Sequence, residues 1–465
     1  MKKMSYISTR GNTEPMGFQD AVITGLAPDG GLLIPETIPQ VADRLDAWSK
    51  LSYQGITFEL LNLFVDIPEA DLKKLIDDSY ARFRHPEIAP AVPVGRLHIL
   101  ELFHGPTLAF KDIALQFLSR VYEYILTRAH RHLNILGATS GDTGSAAIHG
   151  VRGMDRINIF IMHPHQRVAP LQEKQMTAVL DPNVFNMAVR GNFDDCQRIM
   201  KNIFSDLEFK KKYALGSINS VNWARVLVQI VYYFSAGLYV MHTAKAKSIQ
   251  FAVPTGNFGD ILAGYYAWRM GLPISRLILA TNENDILSRF FNTGKYSLGK
   301  VVPTISPSMD IQVASNFERY LYYKVGADPR RLTALMKGFS STGALSIPME
   351  ARGGVDRLFT AGVGNTESTL SVIRRYYTNY GYLLDPHTAV GVHVAEQYVN
   401  GREPMICLAT AHPAKFSRAI KDATGKDLAH HEFLEGLLDA PSRCEVLPAD
   451  EKAVRAFVAK NALQN

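Results

Sequence analysis

Short unbroken apolar runs alternate with helical periodicities through the middle of the chain. The runs at 133–137, 157–162, 184–189, 249–253, 277–281 and 405–409 are rich in Val, Ile, Leu and Ala, and they predict strands. Between them, apolar positions recur at helical spacing over 144–151, 171–179, 194–207, from 221 onward and over 260–270. A strand without polar alternation must be covered on both faces, and a helix between successive strands supplies the crossover that parallel pairing requires. The pattern therefore predicts an α/β protein built on parallel sheets with helices on both faces.

The flanks read differently. Residues before about 85 lack the alternation and carry turn chemistry such as Pro28-Asp-Gly-Gly31, which predicts a separate N-terminal region over 1–85. The main body is expected over 86–440, with a small lobe at about 130–210 and an insertion at about 294–351, where Pro303, Pro307 and Ser340-Ser-Thr-Gly343 interrupt helical stretches. Residues 441–465 are expected to form a helical tail. The uncharged stretch 226–241 contains Gln229, Ser235 and three tyrosines and falls short of a bilayer span, so it reads as a buried helix.

Composition narrows the class. A chain of 465 residues with 47% hydrophobic content can bury more than one core. Its 50 basic and 44 acidic residues give a formal charge of +6 without a basic arm or patch, which suits an anionic small molecule and argues against a nucleic-acid partner. Cys196, Cys407 and Cys444 are far apart and odd in number, so neither a disulfide framework nor a metal site is expected. His104, His163, His165 and His412 lack metal-ligand spacing. The N-terminal Met-Lys-Lys-Met-Ser-Tyr-Ile-Ser has no apolar stretch behind it, and a cytoplasmic, non-membrane protein is the expectation.

Four segments carry candidate chemistry. Lys111 follows the apolar flank Leu108-Ala-Phe110, and an amine so placed suits imine formation with a carbonyl cofactor. Thr255-Gly-Asn-Phe-Gly-Asp260 follows a predicted strand and opens a helix, where backbone N–H groups converge on an anion; Asp260 is expected to cap that helix. Ser140-Gly-Asp-Thr-Gly144 repeats the geometry with added hydroxyls, which suit a substrate carboxylate. Ser220-Val-Asn-Trp-Ala-Arg225 opens the long apolar helix, with Ser220 expected at the cap and Asn222 and Arg225 on one face, a setting for a second phosphate. A reactive lysine with two glycine-rich anion turns points to pyridoxal phosphate. Each segment taken alone also fits a capped helix or a surface lysine.

Together these segments resemble the threonine synthase family, in its longer form with an N-terminal region, among the fold type II pyridoxal phosphate enzymes. The resemblance is carried by 25–35, by Phe103-His-Gly-Pro-Thr-Leu-Ala-Phe-Lys-Asp112, and by 137–147, 219–225, 255–264 and 408–416. It implies two parallel-sheet lobes and the conversion of O-phospho-L-homoserine and water into L-threonine and phosphate, in a monomer or homodimer. By position it implies Lys111 as the imine lysine and catalytic base. Gly256, Asn257, Phe258, Gly259 and Asp260 would form the cofactor phosphate loop, and Thr410 the hydroxyl at the pyridine nitrogen. Ser140, Gly141, Asp142 and Thr143 would meet the substrate carboxylate, and Ser220, Asn222 and Arg225 its phosphate. Shorter relatives usually carry asparagine where Asp142 stands, next to the cofactor's phenolic oxygen. Two other readings share parts of this pattern: another fold type II lyase such as a serine or threonine dehydratase, which needs no second phosphate site, and a non-catalytic binder of phosphate-bearing ligands.

Overall fold

A computed structural model describes residues 4–139, 141–351 and 353–464. The chain divides into two compact units.

The first unit comprises the chain up to Ile76, Phe83–His104 and Ser220–Ala429. Its six-stranded sheet runs Phe359–Val363, Ile274–Thr281, Ile249–Pro254, Met405–Ala409, Leu97–Glu101 and Ala91–Val94. All neighbours are parallel except the last pair, which is antiparallel. The period of two sorts the strand residues between two helical layers. Ala252, Ile278, Ala280 and Cys407 join a core with Ala389, Val390 and Val394 of helix Pro386–Glu396 and Val372 and Ile373 of helix Thr366–Tyr380. On the opposite face, the ring of Phe251 meets Tyr233 of helix Trp223–Ala244 with centroids 4.8 Å apart. A Cβ added at Gly264, in helix Gly259–Arg269, would lie 2.7 Å from the Tyr233 ring and 3.1 Å from Leu277, so glycine permits that close layer packing.

Helix Trp223–Ala244 is long and apolar enough to cross a membrane by composition, yet 83% of its most apolar window is buried inside the unit, as a core helix should be. In the N-terminal region, Tyr6–Ser8 pairs with Leu33–Pro35. Asp29 fastens the turn between them, accepting from the Ser8 hydroxyl and the N–H groups of Gly31 and Asn12. The 294–351 segment is closed by the antiparallel pair Lys295–Ser297 and Ala344–Ser346 around helices Phe317–Lys324 and Pro329–Thr342.

The second unit comprises Asp77–Arg82, Gly105–Asn219 and the chain from His430 onward. Its all-parallel sheet runs Glu445–Pro448, Val184–Arg190, Ile157–Pro164, Leu133–Ala138 and Leu215–Gly216. One face packs Leu136, Phe160, Met162 and Met187 against Cys196, Ile199 and Ile203 of helix Phe193–Ser205 and Val454 and Val458 of helix Glu451–Asn461. The C-terminal stretch thus contributes an edge strand as well as a helix. The helix expected over 194–207 ends at Ser205, because Asp206 takes an extended conformation and caps a separate helix, Leu207–Lys212, by accepting from the Phe209 N–H. Cys196, Cys407 and Cys444 are free thiols.

Candidate active site

In the second unit, Lys111 is the first residue of helix Lys111–Arg128 and Asp142 the first of helix Asp142–Val151. The two helices pack closely at Gly150, where an added Cβ would lie 2.4 Å from Ser119 Oγ and 3.0 Å from the Leu115 carbonyl oxygen. The turn before Lys111 is locked locally. Asp112, fully buried, accepts from the Thr107 N–H at 2.7 Å and the Thr107 hydroxyl at 2.8 Å. Leu108 takes a left-handed φ of 61°, and a Cβ at Gly105 would collide with Asp112 at 2.4 Å. A cation at the positive end of a helix dipole is electrostatically misplaced. Here Asp142 Oδ2 lies 3.7 Å from Lys111 Nζ, with side-chain exposures of 4% and 13%, and offsets that field. Gln172 Nε2 donates to Asp142 Oδ1 at 3.5 Å. Gly141 and Thr143 flank Asp142 at this helix start, and both are half-buried. Ser140, expected among these residues, lies outside the described residues.

The remaining expected residues belong to the first unit. Strand Ile249–Pro254 runs into Thr255, whose hydroxyl donates to the Val253 carbonyl at 2.7 Å, and then into the loop 256–258 ahead of helix Gly259–Arg269. A Cβ at Gly256 would lie 2.6 Å from the Ser308 carbonyl oxygen, so only glycine allows this main-chain path. Phe258 holds a φ of 63°, uncommon for an aromatic residue, and its buried ring packs among Phe291, Phe317, Tyr320 and Phe359. Asn257 is exposed at the loop tip.

Asp260 departs from expectation. The helix starts one residue earlier, at Gly259, with Phe258 at the cap position and no side-chain cap. That turns the Asp260 carboxylate inward, where Oδ1 accepts from Tyr232 at 2.5 Å and from Tyr233 at 3.2 Å. Burial pushes its pKa up from 3.8 to about 7, against the lowering pull of the two tyrosine hydrogen bonds. Its side chain is a core group, which leaves only the backbone N–H for an anion.

The second turn also differs in its cap. Asn222, not Ser220, caps helix Trp223–Ala244: its Oδ1 accepts from the Ala224 N–H at 3.1 Å and its Nδ2 donates to the Val22 carbonyl at 2.9 Å. Asn222 is thereby tied to the N-terminal region. Ser220, half-buried, shares a hydrogen bond of 2.7 Å with the Ser315 hydroxyl, and Arg225 is 4% exposed one turn into the helix. Thr410, 7% exposed, directly follows strand Met405–Ala409, and the Ala409 carbonyl accepts from the Leu102 N–H at 3.0 Å.

Three contributors escaped the sequence reading. Thr107 with Asp112 fixes the Lys111 turn; the signal was the Thr-x4-Asp spacing across a helix start, a local capping pattern. Asn316 and Arg319 reach the glycine loop and the Ser220 turn from 294–351, a segment with no motif to mark it. Among the described residues, no cluster of three or more His, Cys, Asp or Glu could hold a metal ion.

In the first unit, a glycine main chain too tightly packed for a Cβ at Gly256 and a buried neutral hydroxyl at Thr410, and in the second a largely buried lysine amine at a locked helix start, are each of a chemistry that fits pyridoxal phosphate. Comparisons with known proteins agree. Residues 5–80 match the family profile described as threonine synthase N terminus, 83–410 the pyridoxal-phosphate dependent enzyme profile, and 388–458 the threonine synthase C-terminal profile. The chain is 45% identical to the threonine synthase of Pseudomonas aeruginosa over 98% of both proteins. It is 43% identical to that of Saccharomyces cerevisiae, over 98% of this chain and 94% of the relative. Among solved structures, a pyridoxal-phosphate-bound threonine synthase from Brucella melitensis superposes with a TM-score of 0.95 at 44% identity, covering 99% of this chain and 100% of that one. The threonine synthase from yeast superposes with a TM-score of 0.94 at 41% identity, covering 98% of each.

Proposed function

The chain belongs to the threonine synthase family of pyridoxal-phosphate-dependent enzymes, and from that membership we propose how its own residues divide the work. The reaction converts O-phospho-L-homoserine and water into L-threonine and phosphate, a carbon-oxygen lyase chemistry with pyridoxal phosphate as cofactor. When bound, the cofactor supplies an electron sink for the charge left as a proton leaves Cα.

Lys111 anchors the cofactor aldehyde and, as a free amine, takes the Cα proton. Asp142 holds that amine in place through the 3.7 Å ion pair. The N–H groups of Gly256, Asn257, Phe258, Gly259 and Asp260 cradle the cofactor phosphate at a helix start. Thr410 presents a neutral hydroxyl to the pyridine nitrogen. It cannot hold a full positive charge there as a carboxylate would, which disfavours transamination. Ser140, Gly141 and Thr143 receive the substrate carboxylate. Ser220 and Arg225 hold the substrate phosphate, which departs from Cγ as a proton is lost from Cβ; a proton then adds at Cγ, and water adds its OH at Cβ with its remaining proton balancing the one returned to the substrate carbon skeleton. Asn222, with its amide engaged on both sides, serves this site by fixing the start of the Arg225 helix. The enzyme is proposed to act in the cytoplasm as a monomer or homodimer, with no nucleic-acid or membrane partner.

The observation that carries these assignments is the Lys111 amine, 13% exposed beside one buried carboxylate at the start of a locked helix. Borohydride reduction of the holoenzyme followed by peptide mass spectrometry tests it. The cofactor adduct is expected on Lys111, and an adduct elsewhere overturns the scheme. Phosphate release from O-phospho-L-homoserine, with threonine identified as product, checks the reaction.

A further inference from the structure

Asn316, fully buried in the first unit, bonds to both of that unit's anion turns. Its N–H donates to the Asn257 carbonyl at 3.0 Å. Its Nδ2 donates to the Ser220 carbonyl at 3.0 Å and reaches the Asn257 carbonyl at 3.4 Å. On the other side of the same amide, Oδ1 accepts from Arg319, whose guanidinium also donates to the Val221 carbonyl at 2.6 Å. A Cβ added at Gly259 would lie 3.2 Å from Asn316 Nδ2, so the amide is seated against the loop itself. The neighbouring Ser315 hydroxyl meets the Ser220 hydroxyl at 2.7 Å, which fastens that turn a second time from the same segment.

We infer that Asn316 is a positioning residue that sets the spacing between the loop holding the cofactor phosphate and the turn holding the substrate phosphate. This rests on the assignment of 256–260 and Ser220 made above. The reaction requires two phosphate groups to be held in one enzyme at once, and like charges repel. Cradles built from loop backbone yield to that repulsion unless something rigid ties them together. A primary amide does so with one planar group, because it offers two donors for the two loop carbonyls and an acceptor for the arginine behind it. An aspartate of the same shape offers no donor and turns a carboxylate oxygen toward carbonyl oxygens.

The test compares Asn316→Asp and Asn316→Ala with the wild type. Pyridoxal phosphate dissociation from the holoenzyme is followed by absorbance on dilution, KM and kcat are measured with O-phospho-L-homoserine, and Tm is recorded. Stripping the Ser220 carbonyl of its amide donor, and leaving the Asn257 carbonyl only the backbone N–H of residue 316, should weaken cofactor retention and raise KM together, each by roughly tenfold, with kcat per bound cofactor changed less than about threefold. A lowered Tm with both affinities intact assigns Asn316 a purely structural role and overturns the inference, as does a change in one affinity without the other. Gly256→Ala separates this failure from failure of the loop assignment. If it weakens cofactor retention while the Asn316 variants do not, the inference alone falls; if none of the variants weakens retention, the assignment of 256–260 falls with it.

Discussion

Asp142 Oδ2 stands 3.7 Å from Lys111 Nζ, and each residue opens its own helix in the same unit. A buried carboxylate at that range favours a protonated nitrogen on its neighbour. Asp142→Asn keeps the shape and removes the charge. With the ion pair removed, kcat is expected to fall about tenfold, the equivalent of about 1.4 kcal/mol. Initial rates of phosphate release at saturating substrate measure it, and an unchanged kcat would remove Asp142 from any role at the Lys111 nitrogen.

On the proposed assignment, Arg225 carries the distinction between this reaction and that of a lyase whose substrate has no phosphate. A hydrogen bond to a charged group contributes about 1.5–3 kcal/mol, so Arg225→Ala should lower kcat/KM for O-phospho-L-homoserine by about one to two orders of magnitude. Cofactor retention should stay at the wild-type level, because the loop proposed for the cofactor phosphate, 256–260, is a separate turn. Initial rates of phosphate release give the first quantity and absorbance of the bound cofactor the second. An unchanged rate would move the substrate phosphate away from this helix.

What could be read from the chain follows from how local each interaction is. Strands 133–138, 157–164 and 249–254 announce themselves because both faces are buried and their residues are almost all apolar. Glu445–Pro448 does not, because it is an edge strand with a mostly exposed pattern, and Phe359–Val363 is interrupted by Gly362, whose missing side chain makes room for Val394. The glycine-rich strand-to-helix turns at 141–144 and 255–259 were legible because such turns are built from consecutive residues. Asn316 and Arg319 were not, because their partners at Ser220 and Leu33 lie 96 and 286 residues away in the chain. The cap of the long helix was misassigned by two residues, since Ser220 and Asn222 offer the same capping chemistry and only the contact with Val22 separates them.

Asp260 should make stability depend on pH in a direction opposite to most acidic residues. Burial holds its folded-state pKa at about 7, above the ordinary value of 3.8. Below the ordinary value both states are protonated. Between the two values the folded protein keeps a proton that the unfolded chain releases, so stability falls as pH rises through this window and levels off above it, by on the order of 1.4 kcal/mol for each unit of separation. Asp260→Asn keeps an oxygen for Tyr232 and Tyr233 and cannot ionise. The difference in unfolding free energy, variant minus wild type, should therefore climb from about pH 4 to about pH 7 and then flatten. Urea titrations at several pH values measure that difference, and a flat line would mean that Asp260 is ionised in the folded core at ordinary carboxylate pH.

Arg319 offers the largest expected loss of stability. It is fully buried, and burial lowers its pKa to about 10. Its Nε donates to the Leu33 carbonyl at 3.1 Å, one terminal nitrogen donates to the Leu33 carbonyl at 2.9 Å and the Val221 carbonyl at 2.6 Å, and the other terminal nitrogen donates to Asn316 Oδ1. Arg319→Leu fills much of the volume but strands three neutral acceptors, and each buried acceptor left unsatisfied costs about 1–3 kcal/mol. Arg319→Lys keeps the charge, yet one ammonium cannot match a planar fork aimed at separate acceptors, so it should recover only part of the loss. Because the Leu33 carbonyl belongs to strand Leu33–Pro35, which pairs with Tyr6–Ser8, both variants should also expose the N-terminal region to limited proteolysis before the rest of the chain. Urea midpoints rank the variants and N-terminal mapping of the first cleavage locates the weakened element; a wild-type midpoint for Arg319→Leu would show that the N-terminal region is held by its apolar contacts alone.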